Sequence, residues 1–129
     1  KRVAAWLAWS EANAASERQL RSRIDDESVQ AGVRAQAENQ LDAINARRPE
    51  VDFAVARCLA AWGDLSTCRA VGMAMGPIPW TAIVAWCEFH DLDYDTAVLV
   101  IDVIRMVDRD RAEAAESKRR IDELRGGKR

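Results

Sequence analysis

The chain has 129 residues, 49% of them apolar and 31% charged, with a net charge of -2, which is the size of one domain with a modest core. Ala, Arg, Glu and Leu set a composition of long helices, so an all-α fold with almost no sheet is expected. Charge is uneven: residues 1–48 hold 8 basic and 7 acidic groups, residues 49–104 hold 2 and 8, and residues 105–129 hold 9 and 6. That acidic centre argues against a nucleic-acid-binding core, and no apolar run is long enough to span a bilayer.

In chain order, residues 3–24 read as a first helix, with Trp6, Trp9, Asn13, Ser16, Leu20 and Ile24 recurring at three- and four-residue steps. Asp25, Asp26, Glu27 and Ser28 supply an N-cap and first-turn acids for a second helix whose apolar face is Val29, Val33, Ala37, Leu41 and Ile44. Both stripes are narrow, so residues 1–48 are expected to form a helical hairpin that pairs with itself, a second copy or a partner. Pro49 ends this hairpin. A third helix is expected from residue 49 or 50 to Trp62, with Val51, Val55, Cys58, Leu59 and Trp62 on one side and Gly63 as its stop.

Between Leu65 and Ile83 lies a long irregular connection holding Gly72, Gly76, Pro77 and Pro79. Structureless stretches of this length in a small domain usually bind something, lock onto the core or are disordered, which makes this loop the first place to look for function. Pro79 then suits the start of a fourth helix, with Ile83, Trp86, Cys87 and His90 on one side and an end near His90. Residues 91–95 form an acidic turn in which Asp93 or Asp95 caps a long fifth helix carrying Val98, Ile101, Ile104 and Val107. Residues 49–107 thus make a compact helical core. Residues 108–129 continue as a charged, solvated extension in which Arg, Lys, Asp and Glu alternate, with Gly126 and Gly127 at its end.

Little of this carries reaction chemistry. Cys87 and His90 lie three apart and Cys58 or Cys68 could join them around zinc, but the spacing matches no standard knuckle, and buried thiols beside a helix-closing histidine are the plainer expectation. Asp91, Asp93, Asp95 and Asp102 fall at calcium-loop positions, yet Thr96 stands where that loop needs glycine, so a helix-start acid cluster is expected. His90 is the single histidine and no Ser, Cys or Lys sits in an activating context, so no catalytic residue, cofactor or metal is assigned. Trp62, Trp80 and Trp86 read as anchors around the loop. Trp6 and Trp9 either pack within the chain or form an aromatic contact patch, and Met73 and Met75 flank the loop tip, where thioethers suit an adaptable surface.

The order Cys-Leu-Ala-Ala-Trp (58–62), Leu-Ser-Thr-Cys-Arg (65–69), Gly-Pro-Ile-Pro-Trp-Thr-Ala-Ile (76–83), Phe-His-Asp-Leu-Asp (89–93) and Ile-Arg-Met-Val-Asp (104–108) resembles the tail assembly chaperones of tailed bacteriophages over about residues 58–112. Asp91 stands where that pattern expects a helix-ending glycine. The resemblance implies a non-enzymatic role in the host cytoplasm, keeping the tape measure protein soluble and gathering tail-tube subunits around it. The surfaces assigned to such work are the seam Val29, Val33, Leu41 and Ile44, the pair Trp6 and Trp9, and the loop from Arg69 through Met73 and Met75 to Trp80. Two other classes remain open: a scaffold protein that oligomerises through its N-terminal helices, and a regulator that binds a host protein through the acidic centre.

Overall fold

A computed structural model describes residues 1–72 and 75–127 of the protein. It is all-α, with five helices, and among the described residues the only β-type pairing is an isolated bridge between Val71 and Met75. The chain divides into two compact units, Lys1–Val51 and Asp52–Arg129.

The first unit is a hairpin of α1 (Arg2–Asp25) and α2 (Ala31–Ala46). α1 runs through Asp25, and the acids expected to cap α2 do something else. Asp26 accepts from the backbone N–H and the hydroxyl of Ser28, closing a local turn, while Gln30 begins α2 with no side-chain cap. A short carboxylate that satisfies its own turn has no lone pair left in position for the helix that starts five residues later. Arg34 instead reaches back to the Asp26 carbonyl at 2.9 Å. At the other end Arg48 lies 4.8 Å over the Trp9 ring and bonds Glu17 at 3.0 Å, tying the end of α2 to α1. Leu20 and Ala37 are buried, while Leu41 and Ile44 are half-buried, as the narrow stripes predict.

The second unit is built from α3 (Phe53–Leu65), α4 (Trp80–Phe89) and α5 (Tyr94–Gly126). Asp52 caps α3 by accepting from the Val55 N–H at 2.9 Å. This start is later than residue 49 or 50, and Gly63 does not stop the helix. Burial of Ala61, Trp62 and Leu65 holds the chain helical through the glycine. The real end is at Ser66 and Thr67, whose hydroxyls donate to the carbonyls of Trp62 and Asp64 and satisfy groups the helix leaves open. A single 3-10 turn, Ser66–Cys68, follows.

α4 ends as expected at His90, in a Schellman turn: the Asp91 N–H donates to the Glu88 carbonyl and the Leu92 N–H to that of Cys87. Asp91 takes φ 49°, the left-handed conformation that usually calls for glycine. Asp93 then caps α5 through the Thr96 N–H at 2.9 Å. The inward face of α5 is Val100, Ile104 and Val107. Val98 is exposed and Ile101 half-buried, so the true stripe is shifted in phase from the expected one. These side chains meet Val55, Cys58, Ala61, Trp62 and Leu65 of α3 and Ile83, Trp86 and Cys87 of α4 in the core. From Ala112 to Gly127 every residue of α5 is exposed, and pairs such as Arg119–Glu123 and Glu116–Arg120 line its surface.

Candidate functional site

The connection between α3 and α4 is where sequence and structure agree that something specific is built. Its base is locked to the core. Arg69 pairs with Asp108 of α5 at 2.5 Å and donates to the Gly76 carbonyl at 3.1 Å, so the two ends of the loop are drawn together. The other Asp108 oxygen accepts from the Ile78 N–H at 2.9 Å, seating the buried Ile78 side chain. Trp62 lies beneath, with the guanidiniums of Arg69 and Arg111 at 5.2 and 5.3 Å from its ring. With Arg69, Asp108 and Ile78 largely shielded, the loop presents two large apolar side chains: Val71 is 91% exposed and Met75 76%.

Beside the loop, Trp80 opens α4 with half of its surface exposed (52%), and Arg105 of α5 stacks 5.4 Å over its ring. Between them is a hollow of about 380 Å³ lined by Ile78, Ile83 and Ala112. On the face formed by α3 and α4, a second hollow of about 250 Å³ is lined by Phe53, Ala56, Ala60, Trp86 and His90. There His90 stacks on Trp86 at 4.0 Å, while the Trp86 ring N–H donates to Asp64 at 2.8 Å. In the hairpin, Trp6 and Trp9 sit 6.3 Å apart, both half-buried, and Trp9, Asn13, Ala43, Ile44 and Arg47 line a hollow of about 240 Å³. The Trp9 ring N–H is buried there with no hydrogen-bond partner.

The structure therefore groups the sequence-derived residues in two sets. Trp9 and Ile44 share the hairpin hollow, with Trp6 beside Trp9, while Val29 and Leu41 are half-buried and Val33 is exposed. Arg69, Met75 and Trp80 surround the locked loop, but Arg69 faces inward, only 13% of its side chain exposed. Met73 lies outside the described residues. Sequence reading missed Asp108, which fixes the loop, and the exposed aromatics Phe53, Phe89 and Tyr94. Asp108 stands 39 positions from Arg69, and no periodic signal links residues so far apart.

Of the three free cysteines, Cys58 and Cys87 are buried and Cys68 is exposed. Burial pushes the thiols of Cys58 and Cys87 up from their ordinary value, which keeps them protonated and unreactive. Among the described residues no three His, Cys, Asp or Glu side chains converge on a point that could hold a metal ion. Asp93 gives both carboxylate oxygens to Thr96 as a helix cap. Each unit offers exposed aromatic or aliphatic side chains beside buried ones, Val33 in the first and Phe53, Val71, Met75, Trp80, Phe89 and Tyr94 in the second.

Compared with known proteins, residues 33–113 match the model of a family described as phage tail assembly chaperone. The match begins in the first turn of α2 and ends just beyond the last core-facing turn of α5, so it takes in the locked loop and its Asp108 anchor. No curated protein and no solved structure matches the chain.

Proposed function

The chain belongs to the phage tail assembly chaperone family, and from that premise we propose that it binds the tape measure protein and presents it to tail-tube subunits. The observation that carries this is the pairing of a shielded anchor with exposed apolar side chains: Arg69 and Asp108 fix the loop, and Val71, Met75 and Trp80 stand out from it. A pre-formed apolar surface binds a helical client with little ordering cost, and a methionine adapts to different side chains on it. Trp6, Trp9, Val33 and the half-buried Val29, Leu41 and Ile44 give the hairpin a second such surface. Arg69 serves by holding the loop in place. The mechanism is temporary burial of client apolar stripes, released when the tube closes around them, with no bond made or broken. As part of the same proposal the work takes place in the cytoplasm of the infected cell; separately, no described helix is long and apolar enough to cross a membrane.

Co-expression with the phage tape measure protein tests this, with capture through the present chain and a solubility assay. Soluble, co-purified client is the expected result, with clear loss in the Trp6→Ala/Trp9→Ala double variant and in Met75→Glu. If the client stays insoluble and unbound while the chain assembles with itself, the chaperone reading gives way to the scaffold.

A further inference from the structure

We propose that the hollow beside Trp80 is a docking site for an acidic amphipathic helix of a partner protein. Its apolar lining is the buried Ile78 and Ile83 together with the exposed Ala112 and Trp80. Two cations, Arg105 and Arg109, stand on its edge one helical turn apart on α5. Like charges at that spacing weaken a helix. Asp108, the acid of the hollow, is committed to Arg69 and to the Ile78 N–H. Arg109 approaches only Asp110, at 3.9 Å, with both side chains mostly exposed. Arg105 pairs with no carboxylate among the described residues and rests on the Trp80 face.

The result is an apolar hollow edged by two guanidiniums, Arg105 with no carboxylate partner among the described residues and Arg109 with only a long, solvent-exposed one. Its complement is a helix that offers one large apolar side chain to the hollow and carboxylates one turn away on either side to the two guanidiniums. A basic helix would meet like charge there. A neutral one would forgo the ionic part of the contact. Because the loop is held by Asp108, the hollow exists before any partner arrives. The identity of the partner as a tail protein rests on the function proposed above; its chemistry does not.

Labelled helical peptides of about 20 residues with the same Leu face, and flanks of Glu, Lys or Gln, are titrated with the full chain by fluorescence anisotropy at low salt. The Glu peptide is expected to bind at least about tenfold tighter than the Lys peptide, and Arg105→Glu to remove about tenfold or more of that affinity. That substitution puts opposite charges one turn apart on α5, so the helix is retained, which circular dichroism checks. Trp80→Ala should weaken the Glu and Gln peptides together. Equal affinity for all three peptides, or an unchanged Arg105→Glu variant, overturns the proposal. So does a dimer seen by sedimentation that excludes the Glu peptide and is lost in Arg105→Glu, since the occupant would then be a second copy. If the Glu peptide fails while the tape measure protein still co-purifies, the docking site falls and the chaperone reading stands. Binding of the peptide without capture of the tape measure protein supports the site and sinks that reading.

Discussion

Asp108 uses both carboxylate oxygens, one for the Arg69 guanidinium and one for the Ile78 N–H, with both charged side chains about one-eighth exposed. Removing it strands a cation and an amide at once, and removing Arg69 leaves the Asp108 charge unpaired and takes a donor from the Gly76 carbonyl. Asp108→Ala and Arg69→Ala are each expected to cost about 2–3 kcal/mol in urea unfolding. The caps behave differently. Hydrogen bonds from Thr96 hold the Asp93 carboxyl below the usual carboxylate range, and those from Ser28 do the same for Asp26. Each therefore binds its proton more weakly in the folded chain than in the unfolded one. Their stabilisation is complete above the unfolded value, near pH 4, and fades as pH falls through the lower folded value. Thermal melts from pH 6 to pH 3 should show this loss, and Asp93→Asn, which still caps but does not titrate, should flatten the acid limb.

At the scale of elements, two positions carry backbone choices that oppose their surroundings. Gly63 sits inside α3 with open space where a Cβ would go, and Asp91 takes the left-handed turn after α4 that glycine adopts freely. Gly63→Ala and Asp91→Gly should each stabilise the protein by about 0.5–1 kcal/mol, read as a rise in melting temperature, while the reverse type of change elsewhere in α3 destabilises it. The departure at Asp91 was visible in the sequence because the family pattern that the chain resembles expects a helix-ending glycine there. The failure of Gly63 as a stop was not, because burial of Trp62 and Leu65 decides it and burial is a property of the assembled core. The same holds for the phase of α5. Val98 and Val100 have similar composition around them, and only packing against α3 and α4 selects Val100.

For the whole molecule, the division into Lys1–Val51 and Asp52–Arg129 has unequal consequences. The second unit brings three helices and a buried loop residue into one core, while the hairpin buries only Val3, Leu20 and Ala37 fully. A fragment of residues 52–129 should fold cooperatively by itself. Residues 1–51 alone should melt at a lower temperature and over a broader range, since a chain of that length with so thin a seam is marginal. Circular dichroism melts of the two fragments check this. The partition of charge follows the same division of labour, with the acids gathered in the part of the second unit that precedes the basic α5 extension.

The sequence by itself determined the helical class, the hairpin, a cap for α5 at Asp93 or Asp95, the end of α4 and the family, because periodicity, capping chemistry and short motifs are local and act within a few residues. Only the tertiary structure decided that Arg69 turns inward to Asp108, that Ile78 is buried and Met75 is not, and that Trp80, Arg105 and Arg109 share one hollow. Those facts depend on which residues distant in the chain are brought together. Burial and ion pairing across such distances are set by the packing of α3, α4 and α5, and no local pattern encodes them.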